Sequence, residues 1–221
     1  MKKELCILLI LIFALTIRLY PAATSEMPFS TDAWPLIRNT ELIIQNTPVP
    51  LNSAIFDAYN NFWPGIQLFG AVLSQTTNSQ PITAMAIGIP IVAAFAILIF
   101  YFLVKKLTAN TKISLFASAM LAAAFSYTLY TSGVTKEAYA SPLYFTLIFL
   151  FLLKHDKKTI LVFSLASIAL AFTHHFTAFF ATVILTALSI ALYTSKGQKT
   201  NSNISNLLLI GIQSTITIVY F

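Results

Sequence analysis

Long apolar stretches, almost free of charge, constrain this chain more than any other feature of its sequence. They cover residues 5–20, 81–104, 112–131, 138–153, 159–173, 176–193 and 207–221. A bilayer core of about 30 Å takes roughly 20 apolar residues of helix, and these stretches approach or meet that length. With 57% hydrophobic and 9% charged residues, a water-soluble domain of this size is a poor alternative. We therefore predict an all-α fold, in which residues 1–221 form a single polytopic transmembrane bundle of about seven spans.

The charged residues indicate how the bundle lies in the membrane. With the N-terminus inside, ten of the thirteen basic residues fall in inner segments and five of the seven acidic residues fall outside. This is the pattern of the positive-inside rule, so the net charge of +6 indicates topology rather than a nucleic-acid partner. We predict a multi-pass protein of the cell membrane with a cytoplasmic N-terminus. The basic residues at or beyond the outer boundary are Arg18, which is expected to reach the lipid headgroups, Arg38 and Lys136.

Two adjacent histidines, in "LAFTHHFTAFF", interrupt the longest apolar run. As one helix, the run from Thr159 to Tyr193 would extend about 52 Å, far more than a membrane core. We therefore predict a helix hairpin that turns at His174 and His175 and presents both imidazoles to the outer face.

A long outer loop, residues 21–80, follows the first span. Its segment "TDAWPLIRNTELIIQN" predicts a short amphipathic helix, with Pro35 in the first turn and Trp34 and Ile37 on the apolar side. The run "NFWPGIQLFGAVLSQ" is interpreted as an interfacial or re-entrant helix packed on the bundle, because a further span here would move the later lysine clusters outside. The first span resembles a signal peptide, and we expect an uncleaved anchor. The last run stops without a flanking charge, so we expect a truncated C-terminus that continues or pairs with a partner subunit.

Three separate outer loops bring ionisable side chains to one side of the membrane: Asp32, the pair Lys136 and Glu137, and the pair His174 and His175. Ionisable groups near a membrane boundary are typical of substrate sites. Lys136, Arg38 and either histidine could hold an anionic group such as a lipid-linked phosphate, while Asp32 or Glu137 could accept a proton or bind a divalent metal such as Mg²⁺ or Mn²⁺.

Each of these residues also has a purely structural interpretation. Asp32 could cap the helix that starts near Pro35. Lys136 and Glu137 could be an ordinary interfacial ion pair, and the histidines could be interfacial rings. The functional interpretation depends on their convergence.

The order of these segments resembles a known family. An acid in "FSTDAWPLIRNTELI" is followed by "FWPGIQLFGAVLSQTTNSQP", by a span ending in "IFYFLVKKLT", by "TSGVTKEAYASPLYFTLIFLFLL" and by "ALAFTHHFTAFF". Over roughly residues 5–193, this layout is similar to the membrane core of the GT-C glycosyltransferases, which include oligosaccharyltransferase catalytic subunits and dolichyl-phosphate-sugar transferases. The resemblance implies that Asp32 acts as base toward the acceptor or as a metal ligand, and that Glu137 is the acid of the second outer loop. The double-acid pattern expected there is missing from this chain.

The function that we expect is transfer of a sugar from a polyprenyl-phosphate-linked donor to an acceptor on the outer face, with the donor and membrane lipids as partners. Two alternatives stay open. A transporter or flippase of lipid-linked precursors would use the same cationic rim, and Gly88 and Pro90 in the second span are its one candidate helix break. A non-catalytic membrane subunit or fragment would bind without turnover.

Overall fold

The structure, a computed structural model, is mainly helical in the parts that it describes. It describes residues 3–25, 27–46, 60, 62–154, 156–196 and 201–220. These ranges hold ten α-helices and no β-strand, which confirms the all-α prediction. Glu26 and Asp57, which were predicted to lie at the outer face, fall outside the described residues. The helices are α1 (Lys3–Ser25), α2 (Ala33–Gln45), α3 (Gly65–Thr77), α4 (Pro81–Thr108), α5 (Thr111–Ala123), α6 (Phe125–Thr131), α7 (Lys136–Phe151), α8 (Lys157–Thr173), α9 (His175–Lys196) and α10 (Asn201–Tyr220).

The longest helix, α4, organises the structure. Its first half packs against α2 and α3 through Met85 and Ile89, which lie in one apolar cluster with Ile37 and Ile66. It also packs against α1, α5 and α7, and Ala94 and Ile97 lie in one apolar cluster with Ala14 and Ala122. The helix runs unbroken over 28 residues although Pro90 lies inside it. Two layers therefore share α4: a small one of α2 and α3, and the main bundle of the other helices.

The main bundle continues from α7 through α8, α9 and α10. Each of these helices packs against at least two of the others, and their buried side chains form one apolar cluster that includes Phe151, Phe163 and Leu185. The α8 and α9 helices meet at His174, a single extended residue with φ −154° and ψ 110°. The break predicted at the histidines is therefore present as a break between helices.

The predicted span 112–131 is helical but not continuous in the structure. It divides at Ala124, which is extended, into α5 and α6, and the two axes are bent by 63°. Side chains replace part of the helical bonding that is lost there: the Thr128 hydroxyl donates to the carbonyl of Ala122 at 2.9 Å, and Arg18 reaches the same carbonyl at 3.5 Å. A break in an apolar helix is tolerated where such groups re-bond the freed backbone.

Arg18 is also placed differently from the prediction. Its side chain is 0% exposed and does not reach outward. Nε donates to the Thr131 hydroxyl at 2.8 Å, and the guanidinium lies 5.2 Å from the centre of the Tyr127 ring. The bent α5–α6 pair brings Thr131 and Tyr127 to α1, and the sequence alone could not reveal that fold-back. Arg18 thus joins α1 to the bent pair.

Among the residues that the structure describes, three helices are long and apolar enough to cross a membrane by length and composition: α1, α4 and residues 175–194 of α9. The α5–α6 pair makes a fourth if it counts as one broken span. The α7 and α8 helices have 16 and 17 residues, about 25 Å of helix, which is short for a core of about 30 Å. Large apolar side chains such as Leu8, Phe13 and Phe116 are exposed, as expected of a surface that contacts lipid. The structure thus supports a membrane protein, and the count of seven spans stays a prediction.

The substitution Thr131→Val tests the contact between α1 and the bent pair. Valine keeps the shape of threonine but removes the oxygen that accepts from Arg18, and a hydrogen bond to a charged group contributes about 1.5–3 kcal/mol. We expect a loss of stability of that order in thermal unfolding of the detergent-solubilised protein. Thr186→Val is the matched control, because the exposed Thr186 hydroxyl bonds only its own helix, and its effect should stay within about 0.5 kcal/mol. Equal effects of the two substitutions would contradict the assigned role.

Candidate functional site

A cavity of about 290 Å³ lies where the small layer meets the main bundle. It is bordered by two carboxylates, one ammonium and one imidazole, with apolar wall from Pro35 and Leu36. Four of the six residues singled out in the sequence come together here, from three separate segments: Asp32, Lys136, Glu137 and His174.

Asp32 is held by a strained turn that is bonded to the loop before α7. Ser30 has φ 105°, an uncommon value for a residue with a side chain, and its hydroxyl accepts from the Asp32 N–H at 3.2 Å. The Phe29 carbonyl accepts from the Val134 N–H at 3.2 Å. At Gly133 a Cβ atom would lie 2.5 Å from that carbonyl oxygen, so only glycine allows this close approach. The contact sets Asp32 beside the residues that begin α7.

Asp32 does not cap α2. It occupies the residue before Ala33, but its carboxylate makes no capping hydrogen bond. The carboxylate is exposed and borders the cavity. The structural interpretation of Asp32 as an N-cap is therefore wrong.

Lys136 and Glu137 open α7, and the fold gives them different surroundings. The Thr135 hydroxyl caps the helix by accepting from the Ala138 N–H at 3.0 Å. Lys136 is only 7% exposed, and its Nζ lies 5.2 Å from the centre of the Trp63 ring, a cation–π contact. Glu137 is half exposed and directs a carboxylate oxygen to within 3.3 Å of His174 Nε2.

His174 is buried at the helix break and contacts two groups. Nε2 faces Glu137, and Nδ1 lies 2.6 Å from the Thr177 hydroxyl in the first turn of α9. Burial lowers the pKa of His174 below its ordinary value, and the nearby Glu137 carboxylate offsets part of this effect by favouring the charged imidazole. His175 and Lys136 lower the pKa further by like-charge repulsion. His174 is therefore neutral at neutral pH, so the ammonium of Lys136 is the cation on this wall.

Two residues predicted for the site do not line the cavity in the described structure. The His175 ring lies against Trp63, with ring centres 4.3 Å apart and an interplanar angle of 31°. Arg38 is exposed on α2 and is not among the lining residues. Because a helix turns by about 100° per residue, Arg38 and Asp32 need not share a face although they are close in sequence.

The structure adds residues that the sequence did not single out. Asn60, 6% exposed, lines the cavity, and nothing in its sequence context indicates this. The Trp63 ring contacts both Lys136 and His175. Thr177, in the first turn of α9, contacts the His174 ring across the helix break. Gly65 approaches the end of α8, where an added Cβ would lie 2.6 Å from Thr173 Oγ1 and so crowd the turn that carries His174.

Two carboxylates, Asp32 and Glu137, border the cavity. Within the residues that the structure describes, no three His, Cys, Asp or Glu side chains are placed to bind one metal ion. The arrangement supports proton transfer and recognition of a charged group through the chain's own side chains.

Comparison of the sequence with models of protein families finds no family that matches, and a search among curated proteins finds no similar sequence. Functional interpretation therefore depends on the fold, the cavity and the residue pattern.

Replacing Gly133 with alanine tests the contact that positions Asp32. The new methyl group would meet the Phe29 carbonyl at 2.5 Å, and because that atom is backbone it can move away only with its segment. We expect a loss of about 1–3 kcal/mol in thermal unfolding, the usual result of overpacking. In Gly211→Ala, the matched control, the methyl group meets nothing within 4 Å and should stabilise α10 by up to about 1 kcal/mol. A neutral Gly133→Ala would show that the two segments are not tightly joined.

The substitution Glu137→Gln tests the electrostatics at His174. Removing the carboxylate removes a charge that favours the imidazolium, so the pKa of His174 should fall further below its ordinary value. The pKa of His174 in the folded protein is already below its value of about 6.5 in the unfolded chain. His174 therefore contributes stability that is fully present above a pH of about 6.5 and is lost as the pH falls through the folded-state pKa. Titration of His174 by NMR, assigned with His174→Gln, measures the shift. An unchanged or higher pKa in Glu137→Gln would contradict the observed pairing.

Proposed function

We propose that this protein is a membrane glycosyltransferase of GT-C type, which moves a sugar from a polyprenyl-phosphate-linked donor to an acceptor on the outer face of the cell membrane. The observation that carries the proposal is the shared cavity: Asp32, Lys136, Glu137 and His174 reach it from three segments that are far apart in sequence. In this proposal the seven apolar runs span the membrane, the N-terminus is cytoplasmic, and α2 and α3 lie in the outer interface.

The reaction is a single displacement at the anomeric carbon. Asp32 accepts the proton of the acceptor hydroxyl, the new bond forms between that oxygen and the anomeric carbon, and the bond from the anomeric carbon to the phosphate oxygen breaks. The electron pair of the broken bond leaves with the polyprenyl phosphate. Lys136 stabilises the charge that develops on this leaving group, an interaction that strengthens in the transition state.

The placement of Lys136 supports this role. An ammonium that is 7% exposed attracts a phosphate more strongly than one in water, because less solvent screens it. Asp32 is exposed at the mouth, where an acceptor from the outer water could reach it. The lipid tail of the donor would lie along the exposed apolar side chains of the bundle.

A transporter of lipid-linked precursors is a second candidate, because the break at Ala124 gives the chain one discontinuous helix of the kind that transporters use. The break expected at Gly88 and Pro90 is absent, since α4 is continuous there. Transport requires donor binding and movement across the bilayer without release of the sugar.

The test separates binding from chemistry in proteoliposomes with a polyprenyl-phosphate-linked mannose or arabinose donor and with glycan and peptide acceptors. Asp32→Asn should keep donor binding, followed by tryptophan fluorescence, but lower the release of polyprenyl phosphate at least about a hundredfold, because it removes the base. Lys136→Met should weaken donor binding about tenfold or more.

Two matched controls make the same kinds of substitution at residues that do not line the cavity. Asp156→Asn exchanges one good N-cap for another at the exposed start of α8, and Lys112→Met removes a lysine far from the cavity in sequence. Both controls should behave as wild type. Undiminished sugar release by Asp32→Asn would remove Asp32 as base, and donor flipping without any sugar release by wild type would favour the transporter.

A further inference from the structure

Thr177 does not line the cavity, but it contacts the buried imidazole of His174. Its hydroxyl lies 2.6 Å from His174 Nδ1, while Nε2 of the same ring faces the Glu137 carboxylate at 3.3 Å. The three side chains therefore form a line from hydroxyl to imidazole to carboxylate, and only the last two border the cavity.

Simple hydrogen-bond chemistry decides where the protons lie along this line. A carboxylate only accepts, so Nε2 must carry a proton for its contact with Glu137 to be attractive. In a neutral imidazole Nδ1 is then the bare nitrogen, which can only accept, and the Thr177 hydroxyl must donate to it. The opposite tautomer would set the Nε2 lone pair against the negative oxygen.

The position of Thr177 explains why its hydroxyl is available for this contact. Other helical threonines in the chain donate to the carbonyl four residues earlier, as Thr40, Thr146 and Thr186 do. For Thr177 that carbonyl would belong to Thr173, which ends the preceding helix, and the extended residue His174 separates the two helices. The helix break thus turns a threonine that would otherwise bond its own backbone into a partner of the imidazole.

We infer that Thr177 is a positioning residue that fixes His174 in the tautomer with the proton on Nε2, and that His174 in turn holds the Glu137 carboxylate against the cavity wall. Glu137 is half exposed, so without this contact its carboxylate could turn into solvent. The consequence for catalysis rests on the proposed sugar transfer, whereas the tautomer itself does not.

The direct test is NMR of the protein in lipid nanodiscs, with ¹⁵N in the histidine rings and the pH kept above the titration of His174. Two-bond ¹H–¹⁵N spectra distinguish protonated from bare ring nitrogens, and His174→Gln assigns the signals. We expect a protonated Nε2 and a bare Nδ1 for His174 in wild type and in Thr177→Ser, which keeps the hydroxyl. In Thr177→Val, which is isosteric but cannot donate, the share of the Nδ1-protonated tautomer should rise severalfold.

Thr182→Val is the matched control on the same helix, because the Thr182 hydroxyl bonds the Ala178 carbonyl and not the imidazole. It should leave the His174 signals as in wild type. A wild-type His174 that carries its proton on Nδ1, or a Thr177→Val spectrum identical to wild type, would overturn the inference.

A second measurement links the tautomer to activity. Thr177→Val should lower the turnover of the polyprenyl-phosphate-linked donor about five- to tenfold, the factor expected for one lost hydrogen bond, and Thr177→Ser should restore it. Loss of activity in both variants with unchanged ring signals would overturn the positioning role. The expected tautomer change in a protein that transfers no sugar would overturn the proposed function and leave the inference on Thr177 intact.

Discussion

The need to bond every main-chain polar group inside an apolar molecule governs this structure. A helix bonds its own main-chain groups, and a chain with 57% hydrophobic residues has few polar side chains that could bond them instead. The exceptions are informative. At Ala124 the ladder is interrupted, and the Ala122 carbonyl is bonded by Thr128 and Arg18 instead. A buried arginine is costly by itself, but here it serves the backbone of another helix and thereby ties α1 to the bundle.

The same need explains why the charged cavity lies at a junction of helix ends. Main-chain groups inside a helix bond one another, whereas the first turn of a helix and the residues between helices have main-chain groups without an intrahelical partner. Lys136 and Glu137 stand in the first turn of α7, His174 stands between α8 and α9, and Asp32 precedes α2. The long helix α4 makes the junction, because α2, α3 and the start of α7 meet its first half in one apolar cluster. The polar side chains of the cavity therefore lie where helices of the two layers begin or end.

Charge balance in the cavity gives its residues distinct properties. Lys136 is buried beside the Trp63 ring, and this cation–π contact offsets part of the cost of burying its ammonium. His174 is buried without that compensation and is held neutral by desolvation, although Glu137 works against this. Asp32 stays exposed at the entrance. The cavity therefore holds one buried lysine, one neutral imidazole and two carboxylates, Asp32 and Glu137, that solvent can reach.

The sequence by itself determined that the chain is helical and apolar, and it indicated the break at the histidines, since periodicity, length and charge pattern are local properties. It also grouped Asp32, Lys136, Glu137 and His174 by assigning their loops to one side, and the structure brings these four to one cavity. Tertiary structure alone decided the rest. The bend at Ala124, the burial of Arg18, the stacking of His175 on Trp63 and the inclusion of Asn60 all depend on how helices far apart in sequence pack together. No local pattern encodes such packing, because the partners of each side chain come from other helices and their distances are fixed only when the bundle is assembled.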